Sequence, residues 1–164
     1  MPRVAIDTNI LLSSIIWPRW PHAILQHALA GEVVLVLPEI VILEARRQIE
    51  RNFPDAQEQF ERFLALVEFE ITPLPTAKAV EAAAGLVRQT EDIPIALSVI
   101  AAEVDYFVTY DCDFTDDHES TAQVRAAIPG ICLPPVFLRD VMRWTSEQLE
   151  AIRHRTWDEL SSSE

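Results

Sequence analysis

Residues 33–37, Val-Val-Leu-Val-Leu, form an unbroken apolar run between Gly31 and Pro38. A run this short and this rich in β-branched residues is far too brief to span a bilayer, and it reads as a strand buried on both faces. Val4-Ala5-Ile6 is a second such strand, residues 106–109 a third, 131–133 the last, and 69–71 a short additional one. Helical segments lie between them. Residues 9–16 form one, and 21–29 another, with Pro21 in its first turn and Gly31 ending it. Pro38 opens a helix to about residue 51, which Asn52, Pro54 and Asp55 break. Phe60, Phe63, Leu64 and Val67 recur at i, i+3, i+4 and i+7, one face of a helix. An alanine-rich helix is expected over 76–88, another over 93–103 behind Asp92, and another over 135–143. Thr145-Ser146-Glu147-Gln148 is a capping-box pattern that opens a final helix to about residue 160. Buried strands alternating with helices predict the α/β class, a three-layer α/β/α sandwich around a central, mostly parallel sheet.

With 164 residues, 49% of them hydrophobic, the chain can build one domain with one core. The start carries no secretory pattern, because Asp7 interrupts the first apolar stretch. The expectation is a soluble, cytoplasmic protein with no membrane partner. Cys112 and Cys132 make no CxxC pair, and four scattered histidines complete no zinc pattern. Both cysteines read as free thiols, Cys112 being further discouraged from ionising by an aspartate on each side. The formal charge of −13 argues against a nucleic-acid partner when taken alone. A site built from carboxylates explains part of that acidity, and a locally basic strip would have to help RNA approach.

Acidic residues stand where strands end. Asp7 follows the first strand directly and Asp111 nearly follows the strand at 106–109. In open parallel sheets ligands bind at the carboxyl ends of the strands. Glu44 lies two turns into the helix after the second strand, and Asp92 opens another helix. Converging carboxylates disfavour one another's ionisation unless cations neutralise them. Magnesium or manganese, bound through oxygen and water, would do so and would support phosphodiester cleavage. Each residue also has a plainer role. Asp92 is equally an N-cap, Glu44 a solvated residue paired with Arg47 or Gln48, and Asp111 and Asp113 turn residues. Asp7, followed by Thr8 and Asn9 at the end of an all-apolar strand, is hardest to assign to solvation. Asp116, Asp117 and Glu119 read as a solvated loop.

The segments "VAIDTNILLSS", "LPEIVILEARRQI", "EDIPIALSVIAAEVDYFVTYDCDF" and "ICLPPVFL", in that order, resemble the PIN domain. The likeness spans residues 4–138, taken as the nuclease domain within 1–138. It looks like the branch of toxin components in type II toxin–antitoxin pairs (VapC-like). It implies a ribonuclease whose acids bind Mg2+ or Mn2+. By resemblance Asp7, Glu44 and Asp92 are the first three acids. The fourth is Asp111 or Asp113, with Asp111 favoured because it sits closer to the strand end. Thr8 and Asn9 match the polar residues after the first acid, and Asn9 is expected to hydrogen-bond a ligating carboxylate. A homodimer and a small antitoxin protein are the implied partners. The resemblance says nothing about residues 139–164, a helical extension expected to pack on the same domain or on a second subunit.

Glu44, Arg47 and Arg51 share a helix face, so the two arginines are candidates to grip RNA phosphates. The plainer alternative is a surface ladder, with Arg46 paired to Glu50. Trp17 and Trp20 in a proline-rich turn offer stacking faces for bases. Packing against a neighbouring helix or a second subunit is the preferred reading of both. Two other functions compete. A haloacid-dehalogenase-like phosphohydrolase needs a second aspartate two residues after Asp7, where Asn9 stands. A PIN-like scaffold that binds RNA or protein without cutting would have no need of the full acid set.

Overall fold

The computed structural model of the chain describes residues 1–115 and 122–162, with only the backbone at residues 112, 113, 161 and 162. Its centre is a sheet of β1 (Arg3–Ile6), β2 (Val34–Pro38), β3 (Glu70–Thr72), β4 (Tyr106–Val108) and β5 (Gly130–Cys132). The strand order is β3-β2-β1-β4-β5 and every pairing is parallel. Parallel strands need crossovers, and the helical segments supply them. Val4, Ala5, Ile6, Leu35, Val36, Leu37, Phe107 and Val108 are all essentially inaccessible to solvent. At about 1.5–3 kcal/mol for each large side chain, these central strands provide much of the driving force for folding.

Helices flank the sheet. Those before the last crossover are α1 (Thr8–Ile16), α2 (Trp20–Leu29), α3 (Glu39–Asn52), α4 (Gln57–Leu66), α5 (Ala77–Ala82) and α6 (Ile93–Ala101). After them come α7 (Cys112–Thr115), α8 (Ala122–Ala127), α9 (Pro134–Asp140), α10 (Ser146–Ile152) and α11 (Trp157–Ser162). Helix α3 buries Val41, Ile42, Ala45 and Ile49, and it packs against α1, α4 and α6. Pro38 ends β2 and serves as the N-cap of α3, one residue earlier than a first-turn proline.

Two expected helices come out shorter. The alanine-rich segment keeps helix only through Ala82; turns follow, and Gly85 adopts φ +86°. Helix α5 buries none of its residues, so little packing supports its extension as far as Gly85. The capping box at Thr145 forms as expected, its hydroxyl accepting from the Gln148 N–H. The helix it opens then stops at Ile152 and restarts at Trp157. Between them Arg155 reaches back, its Nε donating to the Pro18 carbonyl at 2.7 Å.

The segment after residue 138 is tied to α1 and α2 by its polar tips. The indole of Trp20 donates to the Leu149 carbonyl at 2.9 Å, and that of Trp157 to the Ile16 carbonyl at 2.8 Å. Trp144 donates to His27 at 3.0 Å. Trp20 thus packs against a helix of its own chain, as expected, whereas Trp17 remains 39% exposed.

Candidate active site at the carboxyl edge of the sheet

In the order 3-2-1-4-5 the chain leaves β1 toward β2 on one side and later returns to place β4 on the other. The topological switch therefore falls between β1 and β4, the place where open parallel sheets bind ligands. Ile6 pairs with Val108 in register, so Asp7 and Thr109 are the next residues of adjacent strands. The Asp7 N–H continues the ladder to the Val108 carbonyl at 3.1 Å. Asp7 is also the N-cap of α1, where its Oδ1 accepts from the Thr8 N–H at 2.8 Å. Its other oxygen accepts from the Thr109 hydroxyl at 2.7 Å.

Thr109 is fully buried and works in two directions. Besides donating to Asp7, its hydroxyl oxygen accepts the Asp111 N–H at 2.9 Å. The Asp111 carbonyl then accepts from Phe114 and Thr115, starting α7, while Phe114 packs edge-on against Phe107. Asp111 is thereby positioned on both sides of its own backbone. From α3, half-buried Glu44 accepts from the Thr8 hydroxyl at 2.8 Å. Two threonines thus link three acids into one network.

Burial is the main influence on Asp7 and pushes its carboxyl pKa above the ordinary value. The hydrogen bonds from Thr109 and Thr8 oppose that shift, while the charges of Asp111 and Glu44 add to it. Neither Asp7 nor Glu44 has an arginine or lysine as a hydrogen-bond partner among the described residues. The donors gathered here are all oxygen, which suits a hard divalent cation. Among the described residues, no three His, Cys, Asp or Glu side chains stand close enough to hold a metal by themselves.

The remaining candidates divide. Asp92 is half-buried at the start of α6, which packs on α3; it occupies the N-cap position without a side-chain capping bond. The side chain of Asp113 lies outside the described residues, as do the Cys112 thiol and all of Asp116, Asp117 and Glu119. Asn9 is exposed, and no hydrogen bond joins it to a carboxylate among the described residues. The residue that holds a neighbouring acid is Thr8, because the first turn of α1 aims its hydroxyl at α3. Glu44 is bonded to Thr8 instead of pairing with Arg47 or Gln48 along its own helix. Arg47 and Arg51 are exposed on α3. Arg46 pairs with Glu61 of α4 through two bonds, of 2.6 and 3.2 Å, and not with Glu50. Cys132 is free and half-buried, and burial pushes its thiol up to about 11, so it is no nucleophile near neutral pH.

Thr109 is the site residue that sequence reasoning missed. Its signal was a polar residue closing an apolar strand just before an acid, the mirror of Asp7-Thr8.

No curated protein matches the chain. Among solved structures it is similar to a chain of VapBC2 from Rickettsia felis, determined bound to a DNA fragment from their promoter. The identity is 19% and the TM-score 0.52, over 72% of this chain and 94% of that one. It is also similar to PAE2754 from Pyrobaculum aerophilum, with 14% identity and a TM-score of 0.58 over 87% and 91% of the two chains. At such identities the likeness is one of fold. The PIN domain family model matches residues 4–119, more than half of the sequence, and the chain belongs to the PIN domain family.

Proposed function

We propose that this chain is a divalent-metal-dependent endoribonuclease. The observation that carries the reading is Asp7: a carboxylate buried at the β1/β4 switch point, beside Asp111 and Glu44, held by a hydroxyl and an amide donor. A cation beside such a group favours its ionised form, and a cation there would lie where ligands enter an open parallel sheet. Nuclease activity is typical of the family, which supports the same choice. Asp7, Glu44, Asp92 and Asp111, with Asp113, are the residues we assign to Mg2+ or Mn2+. When bound, the metal supplies an activated water and steadies the leaving oxygen of a phosphodiester. The chain's own part is to orient the acids. Thr109 fixes Asp7 and the Asp111 backbone, and Thr8 fixes Glu44. Exposed Arg47 and Arg51, on the helix that carries Glu44, are placed to meet RNA phosphates.

The likeness to a VapBC2 chain supports a toxin role, with a small antitoxin as partner. A cationic side chain from that partner would satisfy the acids in place of metal. A homodimer is part of the same proposal, as is a division into a nuclease domain (1–138) and an extension (139–164). Among the described residues, no helix is long and apolar enough to cross a membrane, and we place the protein in the cytoplasm.

Purified protein incubated with a mixed RNA pool tests the activity. Cleavage is expected with magnesium or manganese, to vanish with EDTA, and to fall by more than about 100-fold in Asp7→Asn. Cleavage that survives EDTA, or survives Asp7→Asn in a folded protein, refutes the reading. Metal-independent RNA binding without cleavage would favour a scaffold.

A further inference from the structure

Beside the carboxylates lies a pocket of about 330 Å³ whose walls come from distant parts of the chain. Ser13 and Trp17 form one wall at the end of α1, and Arg19 and Trp20 extend it. Tyr110 closes it on the strand side, and Arg153 and His154 close it from the segment between α10 and α11. That last wall lies outside the part of the chain matching the PIN domain, which ends at residue 119.

Three features give the pocket a chemical character. Two of its aromatic rings are partly exposed: Tyr110 is 42% exposed and Trp17, which meets Phe53 edge-on, 39%. Its charge runs against the rest of the molecule. In a chain of net charge −13, two arginines and a histidine line it, and no aspartate or glutamate does among the described residues. It is also held in shape. Arg155 donates to the Pro18 carbonyl, Arg19 Nε to the Arg155 carbonyl at 3.2 Å, and Trp20 to the Leu149 carbonyl. The Arg19 guanidinium lies over Trp17 at 5.8 Å and that of Arg153 over Trp20 at 5.9 Å, leaving planar cations beside the rings. Among the described residues, Arg153 otherwise meets exposed Glu150, at 3.5 Å.

Position ties the pocket to the acids. Tyr110 lies between Thr109, which holds Asp7, and Asp111. Asn9, Ser13 and Trp17 recur every fourth residue, a stripe about 12 Å long that runs from the carboxylate end to the pocket. Unpaired bases are recognised by aromatic rings and arginine planes, whereas bases within a duplex present no free face.

We infer that this pocket receives an unpaired base of single-stranded RNA, stacked against Tyr110 and Trp17, with Arg19 and Arg153 meeting the adjoining phosphates. The substrate class rests on the ribonuclease reading; the pocket adds the place where a base would sit, with a wall from beyond the part matching the family. The locally basic lining also offers RNA a way onto an acidic protein.

Fluorescence anisotropy of the full chain with a short fluorescein-labelled single-stranded RNA, in EDTA so that nothing is cut, tests this. The same sequence closed into a blunt duplex is the second probe. The single strand should bind at least tenfold more tightly than the duplex. Tyr110→Ala and Trp17→Ala should each weaken it by roughly tenfold, while Tyr110→Phe and Trp17→Phe keep the affinity and so exclude misfolding as the cause. Arg19→Ala and Arg153→Ala should each lower the salt slope by about one. Equal binding of duplex and single strand, no RNA binding at all, or alanine variants that bind like the wild type overturns the pocket. Cleavage is scored separately. A chain that cuts RNA with its Ala variants unaffected in binding leaves the nuclease standing without the pocket. A chain that never cuts, yet loses affinity in those variants, does the reverse.

Discussion

The two ends of the sheet treat charge in opposite ways. At the amino end Arg3 is fully answered: its guanidinium pairs with Glu70 of β3 and donates to the Ala102 carbonyl, and its N–H is taken by the Asp105 carboxylate. Through these bonds Arg3 ties β1 to β3 and to the segment between α6 and β4. At the carboxyl end Asp7 is buried, near two other acids, and its donors among the described residues are neutral. The amino end is arranged for stability alone. The carboxyl end instead gathers acids around a buried carboxylate, which is the arrangement expected where function outweighs stability.

Changes at the carboxyl end should therefore cost activity first. After Asp7 itself, the largest effect belongs to Thr109→Val, which keeps the shape and removes both bonds of the hydroxyl. RNA cleavage should drop by about 10- to 100-fold, with Thr109→Ser recovering most of it. Valine and serine variants of equal activity would show that the Thr109 hydroxyl positions nothing. At the amino end the effect should be smaller and of another kind. Arg3→Ala should lower stability by about 1 kcal/mol in denaturant melts, because the Glu70 pair is substantially exposed and screened. Its RNA cleavage should stay at the wild-type rate. A large loss of activity in Arg3→Ala would erase the contrast between the ends.

Much of this contrast was legible in the sequence. An all-apolar strand that ends in an acid is rare enough to mark Asp7, and Asp111 stands out for the same reason. Strand and helix alternation carried the parallel sheet, because wholly buried strands need no alternating pattern. What stayed hidden depends on contacts between distant residues. Thr109 looks like any strand threonine until register sets it beside Asp7. Arg46 has a plausible partner four residues on, yet α4 brings Glu61 closer. The break between α10 and α11 follows from Arg155 docking on Pro18, a tertiary bond that helix propensity does not register. The pocket at Trp17 is invisible for the same reason, since its walls are joined only by folding.

The pH behaviour of Asp7 links the site to stability. A carboxyl whose folded pKa is raised keeps a proton that the unfolded chain has already lost, so the metal-free protein loses stability as pH rises from the ordinary carboxylate value through the folded one. At neutral pH that loss is complete for a pKa below neutrality, and a bound cation offsets it by favouring the ionised form.

Thermal melts of the wild type and Asp7→Asn at neutral pH, each in EDTA and in manganese, test the central claim most directly. In EDTA the neutral variant should melt at or above the wild type. In manganese at about a hundred times its dissociation constant, the wild type should gain roughly 2.7 kcal/mol and Asp7→Asn close to nothing. A wild type that melts identically with and without metal, or a variant that gains as much, would contradict a cation site built on Asp7.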